Sequence, residues 1–287
     1  MKFPNLTILI SFCWLISCND NPPQNIHSEY ITQVFEYVYA PGQHAHLASP
    51  DDTVYFKGNP ADHDGWVFLG GFGGYIIAGF DHNIQNHAGA DFEVFALSGV
   101  SPEPAIVYVM ADENNDGLPN DTWYELKGNQ IDNSKRNYWV CYYRSKNSAE
   151  NIRWRDSEGE SGELLSGYGS PTTFSWWWQH SAADSITFFG TRLPDSYKNE
   201  GNDESQHWVV PADKFTWGYA KNNYGSDYNR ESHSNLFDIS NAIDSFGNPV
   251  ELTEIRFIKV QTAVFQQAGW LNEVSAEVRG AREIKAR

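Results

Sequence analysis

The sequence predicts an all-β protein, a single β-sandwich of jelly-roll-like form with long loops. Three observations carry that expectation. Short runs of β-branched and aromatic residues recur along the chain, each closed by Gly, Pro, Asn or Asp. Alternation with a period of two is plain in Phe92-Glu93-Val94-Phe95 and in Ile255-Arg256-Phe257-Ile258-Lys259-Val260, so charged and apolar side chains take opposite faces. Helical periodicity is nearly absent; the best segment, 237–243, is worth a turn or two.

The first element is not part of that body. Lys2 is the sole charge before Asp20, and an apolar run from Leu6 to Ile16 follows it. The run is shorter than the ~20 residues that cross a bilayer and has the size of a signal-peptide core. It closes on Leu15-Ile16-Ser17-Cys18, a lipobox, which predicts a lipoprotein signal peptide over 1–17 and a diacylglycerol on the Cys18 thiol. At about 0.8 kcal/mol per buried CH2, such a chain holds a protein at a membrane. Residues 18–29 are polar and Pro-containing and read as a flexible tether. The ligand-binding sandwich is then 30–287.

Within 30–287 the candidate strands are 31–39, 66–70, 75–80, 92–97, 106–111, 123–126, 138–144, 152–155, 173–179, 185–189, 208–210, 255–264 and 275–279. Stretches 42–64 and 194–206 read as long loops, where binding residues usually sit. Gly70-Gly71-Phe72-Gly73-Gly74 reads as a strand bend: no Lys-Ser/Thr follows it, as a phosphate loop requires. Cys141 lies in an apolar run and reads as a small core hydrophobe.

Between the strands, Asp112-Glu113-Asn114-Asn115-Asp116-Gly117-Leu118-Pro119-Asn120-Asp121 has the spacing of a calcium loop. Hard cations take oxygen ligands. Asp112, Asn114 and Asp116 alternate, Gly117 permits a sharp turn, and the Leu118 carbonyl and the Asp121 carboxylate could complete the shell. The ion, Ca2+, would be structural. The twelfth position is Trp123 rather than Glu, so this is no EF-hand; a calcium-free hairpin turn is the competing reading.

Aromatic residues carry the ligand expectation. The chain has 11 Trp, 15 Tyr and 17 Phe, which also excludes a disordered polypeptide. In the strand reading of 173–179, Trp177 falls opposite Phe174, Trp176 and Trp178 and is left as a platform for a flat ligand. Trp217, Tyr219, Tyr224 and Tyr228 lie in Gly/Asn-rich sequence and complete a candidate rim.

His44, His46, His63, His82 and His87 lack supporting ligand spacing and read as loop and core histidines. Asp156, Glu158, Glu160 and Glu163 read as a solvated acidic face. No nucleophile or metalloprotease motif occurs, and the expectation is a protein without enzymatic activity. A glycosidase carboxylate pair is defined in space and stays open at this point. A net charge of −17 excludes a nucleic-acid partner.

Leu69 to Gly74, Gly79-Phe80-Asp81-His82, the Asp112–Leu126 stretch, Phe188 to Pro194, Trp217-Gly218-Tyr219-Ala220, Phe237 to Asp244, Phe257 to Val264 and Ala268 to Glu273 occur in an order that resembles a family of Bacteroides-type cell-surface (PKD-like) lipoproteins. The likeness spans about residues 30–283. It implies an outer-membrane lipoprotein facing the cell exterior, found with TonB-dependent transporters and other surface lipoproteins in loci for vitamin B12 (cobalamin) uptake. It implies cobalamin as the ligand, with a carbohydrate-binding surface protein of a glycan-uptake system as the alternative. Two departures stand out: Lys221 occupies a position where the family tends to have Asp, and the segment after Phe95 is short.

Overall fold

The computed structural model describes residues 27–42, 45–97, 101–146, 151–165, 183–269 and 273–285. Strand makes up 41% and helix 8%, so the packed layers are sheets and the protein is an all-β sandwich.

A six-stranded antiparallel sheet has the order β1 (Gln33–Val38), β3 (Tyr75–Gln85), β16 (Glu254–Thr262), β5 (Ala105–Met110), β6 (Tyr124–Leu126), β15 (Ala242–Ile243). A five-stranded sheet has the order β13 (Tyr228–Asn229), β14 (Ser234–Phe237), β4 (Phe92–Ala96), β17 (Glu277–Glu283), β2 (Val67–Phe68). Alternation decides their packing. Ile76, Ala78, Val107, Val109, Ile258 and Val260 from the first sheet meet Phe92, Val94, Val278 and Ala281 from the second in the main core. Each large aliphatic side chain buried there contributes about 1.5–3 kcal/mol.

The other face of the six-stranded sheet carries Tyr75, Tyr108, Lys259 and Gln261. Beside it lies a four-stranded sheet, β10 (Ser185–Arg192), β7 (Lys135–Tyr143), β8 (Ile152–Asp156), β9 (Ser161–Leu164), an additional layer that sequence periodicity did not anticipate. Its Tyr138, Val140, Tyr142 and Phe188 form a second core with Phe72 of the glycine run. That run turns the chain between β2 and β3, with Gly70 and Gly73 at φ +71° and +91°, as a bend there requires. Cys141 is buried, as expected of a small hydrophobe.

Several elements differ from expectation for physical reasons. β3 runs on past Phe80 to Gln85 because β16 pairs along its whole length, and Asn83 and Gln85 donate side-chain hydrogen bonds to Glu254. Segment 237–243 holds one helical turn, as expected, but between strands. Its apolar residues belong to the end of β14, a single 3-10 turn Ile239–Asn241 capped by Asp238, and β15. Loop 42–64 holds the 3-10 helix Pro50–Phe56 with a Ser49–Asp52 capping box. Loop 194–206 enters a two-stranded ribbon, β11 (Lys198–Asn199) with β12 (Trp208–Val209). The strand expected over 173–179 lies outside the described residues. Among the described residues, no helix is long and apolar enough to cross a membrane.

Candidate functional site

Register builds a polar row on the open face of the six-stranded sheet. Lys259 in β16 stands opposite Tyr108 in β5, Tyr108 opposite Glu125 in β6, and Glu125 opposite Ile243 in β15. Directly opposed residues share a face. Gln261, two positions along β16 from Lys259, joins the same face. The four-stranded sheet supplies the facing wall: Trp139 and Phe189 are cross-strand partners, and Gly190 and Thr191 follow in β10. Together with Trp123, Arg136 and Asp244 these residues enclose a cleft of about 470 Å³.

Burial sets the chemistry of its floor. Glu125 is 8% exposed and accepts a hydrogen bond from Thr191 Oγ1 at 2.5 Å. Desolvation dominates there, outweighing the Thr191 hydrogen bond and the Arg136 charge, and pushes the Glu125 carboxyl up to about 7. The Thr191 amide donates to the Tyr108 hydroxyl at 3.2 Å. Lys259 Nζ lies 4.6 Å from the Tyr75 ring centre and 5.1 Å from that of Tyr108. Burial lowers its ammonium to about 8, against the opposing pull of Glu36.

Gln261 is 2% exposed; its amide donates to the Gly73 and Phe189 carbonyls at 2.7 and 3.1 Å, while its Oε1 is buried with no hydrogen-bond partner. An orphaned acceptor of this kind costs about 1–3 kcal/mol unless something donates to it. At the mouth, Phe189 is 64% exposed. Phe246, 80% exposed, stands on the neighbouring turn. Asp244 shapes that turn by accepting from the Phe246 and Asn248 amides and from Asn248 Nδ2. Aromatic walls, a carboxyl pushed up to about 7 by burial and an unanswered acceptor make this cleft the candidate ligand site.

The rim expected from sequence does not come together at this cleft. Trp177 lies outside the described residues, as does Cys18. Trp217 is half-buried and lines a smaller cavity of about 220 Å³. Tyr219 is a correction: at 1% exposed it packs edge-on against Phe215, and its hydroxyl accepts from the Gln130 amide, so no ring face is left for a ligand. Tyr224 is exposed. Tyr228 is half-buried in β13, with its hydroxyl 3.1 Å from His233 Nδ1.

The Asp112–Asp121 loop folds with its oxygens already engaged. Asp112 Oδ2 pairs with Arg256 at 2.7 Å and accepts from the Gly117 amide; its Oδ1 accepts from the Asp116 amide. Asp116 accepts from Asn114, Asn120 and the Leu118 amide, and Asp121 from the Glu113 amide. The Arg256 guanidinium supplies the neutralising charge that a cation would bring. Among the described residues the carboxylates of Asp112, Asp116 and Asp121 do not converge as a metal-binding group.

Two further residues depart from their expected settings. Asp156 is not on a solvated face: it is buried and takes hydrogen bonds from the Tyr138 hydroxyl and from the Glu158 and Glu160 amides. Lys221 is buried between Glu103 at 3.1 Å and Glu277 at 3.7 Å, an ion-pair role that explains a cation at this position.

Glu125, Thr191, Lys259 and Gln261 were not singled out from sequence. The available signal was weak: Glu125, Lys259 and Gln261 are polar residues inside strands that read as buried. Comparison of the chain with protein-family models finds no match, and comparison with curated proteins finds none either.

Proposed function

We propose that this chain is a lipid-anchored surface protein that captures a small, uncharged polar ligand in the aromatic cleft. The observation that carries the reading is that one floor holds both the buried Glu125 carboxyl, which burial pushes up to about 7, and the partnerless Gln261 Oε1 acceptor. Trp123, Trp139 and Phe189 offer ring faces and edges around them. Cys18 would hold the protein at the outer membrane, facing outward, and the tether would let the cleft present its ligand to a TonB-dependent transporter or another surface lipoprotein.

Cobalamin is the first ligand to test. Its peripheral primary amides offer N–H donors for Gln261 and carbonyl acceptors for Glu125, and the exposed Phe189 and Phe246 would contact the rest of the molecule outside the cleft. Calorimetric titration with cyanocobalamin should give saturable heat at micromolar protein. Absence of heat together with absence of co-elution would exclude it.

A sugar is the second reading, favoured by a volume of about 470 Å³. This lies at the small end of ligand pockets, roughly 300–1,000 Å³. A glycan array separates the two. A glycosidase reading is weaker: Asp244, the other carboxylate of the cleft, has both oxygens committed to its own turn. No hydrolysis of aryl glycosides is expected.

A further inference from the structure

A second group of side chains lies away from the cleft, where the chain enters the sandwich. His27 is the first described residue; Asp81 and His82 lie in β3, and Glu283 in β17. The Nδ1 atoms of both histidines converge on one atom, Asp81 Oδ1, at 3.7 Å from His27 and 2.8 Å from His82. The two rings stack at 4.8 Å with 29° between their planes. One ligand atom from each of the three residues falls within 4.8 Å of the others.

We propose that His27, Asp81 and His82 form a binding site for a divalent transition metal, zinc above all, with Glu283 positioning His82. Imidazole and carboxylate are the donors zinc takes, and three protein ligands leave a fourth place for water. Bonds of about 2.0–2.1 Å put tetrahedral zinc ligands about 3.4 Å apart. The His27–Asp81 separation already approaches that spacing, and the His82–Asp81 contact has to widen by about half an ångström.

Two surrounding contacts suit the site. His82 Nε2 lies 3.1 Å from Glu283 Oε2, so with the metal bound the ring proton would sit on Nε2 against that carboxylate and Nδ1, now 2.8 Å from Asp81 Oδ1, would give its lone pair to the ion, the usual arrangement around a ligating histidine. The Ser28 amide donates to Asp81 Oδ2 at 3.2 Å, which turns Oδ1 toward the rings.

The consequence is mechanical. Asp81 belongs to the six-stranded sheet and Glu283 to the five-stranded sheet, so a bound ion would fasten the base of the tether to both. The neighbouring Glu283 amide already donates to the Glu29 carbonyl.

The test is calorimetric titration of the untagged protein with zinc chloride, in excess magnesium to occupy scattered carboxylates. One equivalent should bind at micromolar affinity or tighter, and cobalt(II) should show the visible bands of a tetrahedral site. His27→Ala and His82→Ala should each weaken binding at least tenfold. Glu283→Gln should weaken it by about 10- to 100-fold. The His44→Ala/His46→Ala double variant should leave it unchanged. His82 packs edge-on against Phe80, so its variant can disturb folding; His27 is largely exposed and its variant keeps the test decisive. Absence of saturable binding at millimolar zinc, or full affinity in His27→Ala, overturns the site.

Discussion

Gln261 and Gly190 depend on each other. A Cβ placed on Gly190 would lie 2.6 Å from Gln261 Oε1, closer than a real Cβ approaches any atom. The bare glycine therefore leaves room for the buried acceptor in the lining of the cleft. Gly190→Ala should push the Gln261 amide off the Gly73 and Phe189 carbonyls, at a cost of about 1–3 kcal/mol. Denaturant unfolding measures that cost, and ligand capture should fall with it. An unchanged midpoint with unchanged capture would mean that the acceptor takes no part.

Glu125 makes both stability and binding depend on pH. Its folded-state value of about 7 lies above the ordinary 4.5. A raised carboxyl contributes fully below the unfolded value, and its contribution is lost as pH rises through the folded one. Stability should therefore decline between about pH 4.5 and 7 by up to about 3 kcal/mol. Arg136, Lys259, Tyr108 and Tyr219 stand around the group and are present at both ends of that range. Glu125→Gln should flatten the decline, read as melting temperature against pH. In the native protein, capture should weaken about tenfold per pH unit above 7 if the carboxyl donates to the ligand.

Phe189 offers a separation of binding from folding. Its ring is mostly in water, so Phe189→Ala should move stability by no more than about 0.5 kcal/mol. Loss of its ring at the cleft mouth should weaken capture about tenfold, as for an aromatic anchor. Trp217→Ala, at the other cavity, should leave capture unchanged. Surface plasmon resonance on both variants distinguishes the two places.

Arg256 holds Asp112 in an ion pair at 2.7 Å. The Asp112 side chain is 1% exposed. Removing its cation strands a buried carboxylate, and Arg256→Ala should cost about 3 kcal/mol. Millimolar calcium should leave the native melting temperature unmoved, whereas an ion at a hundred times its Kd would add about 2.7 kcal/mol. A clear rise with calcium, reversed by chelator, would restore the calcium reading of this loop.

Much of the fold was legible because it is written in local pattern. The alternation around Phe92 places Val94 in the core, and that of β16 places Ile258 and Val260 in the core with Lys259 on the opposite face; Ile255 reaches the same core through the irregular register between it and Phe257. The glycine run announced a bend, and 70 and 73 do take left-handed backbone there. What stayed hidden was long-range. Apolar spacing over 237–243 is the same for a helix and for a strand, turn and strand; β6 as a partner for β15 decides between them. Tyr219 and Tyr224 have similar sequence surroundings, yet packing against Phe215 buries one and leaves the other in water.

By itself, then, the chain's order of residues determined a body of sheets, since hydrophobic period and turn chemistry act over a few neighbours, and it carries the expectation of a lipidation signal and a polar tether ahead of that body. Tertiary structure alone decided that Lys259, Tyr108 and Glu125 stand in a row and that Trp139 and Phe189 close over them. Their separations along the chain are long, and only strand register brings such residues within reach. Burial, a property of the assembled sheets, then pushes the carboxyl of an ordinary glutamate up to about 7.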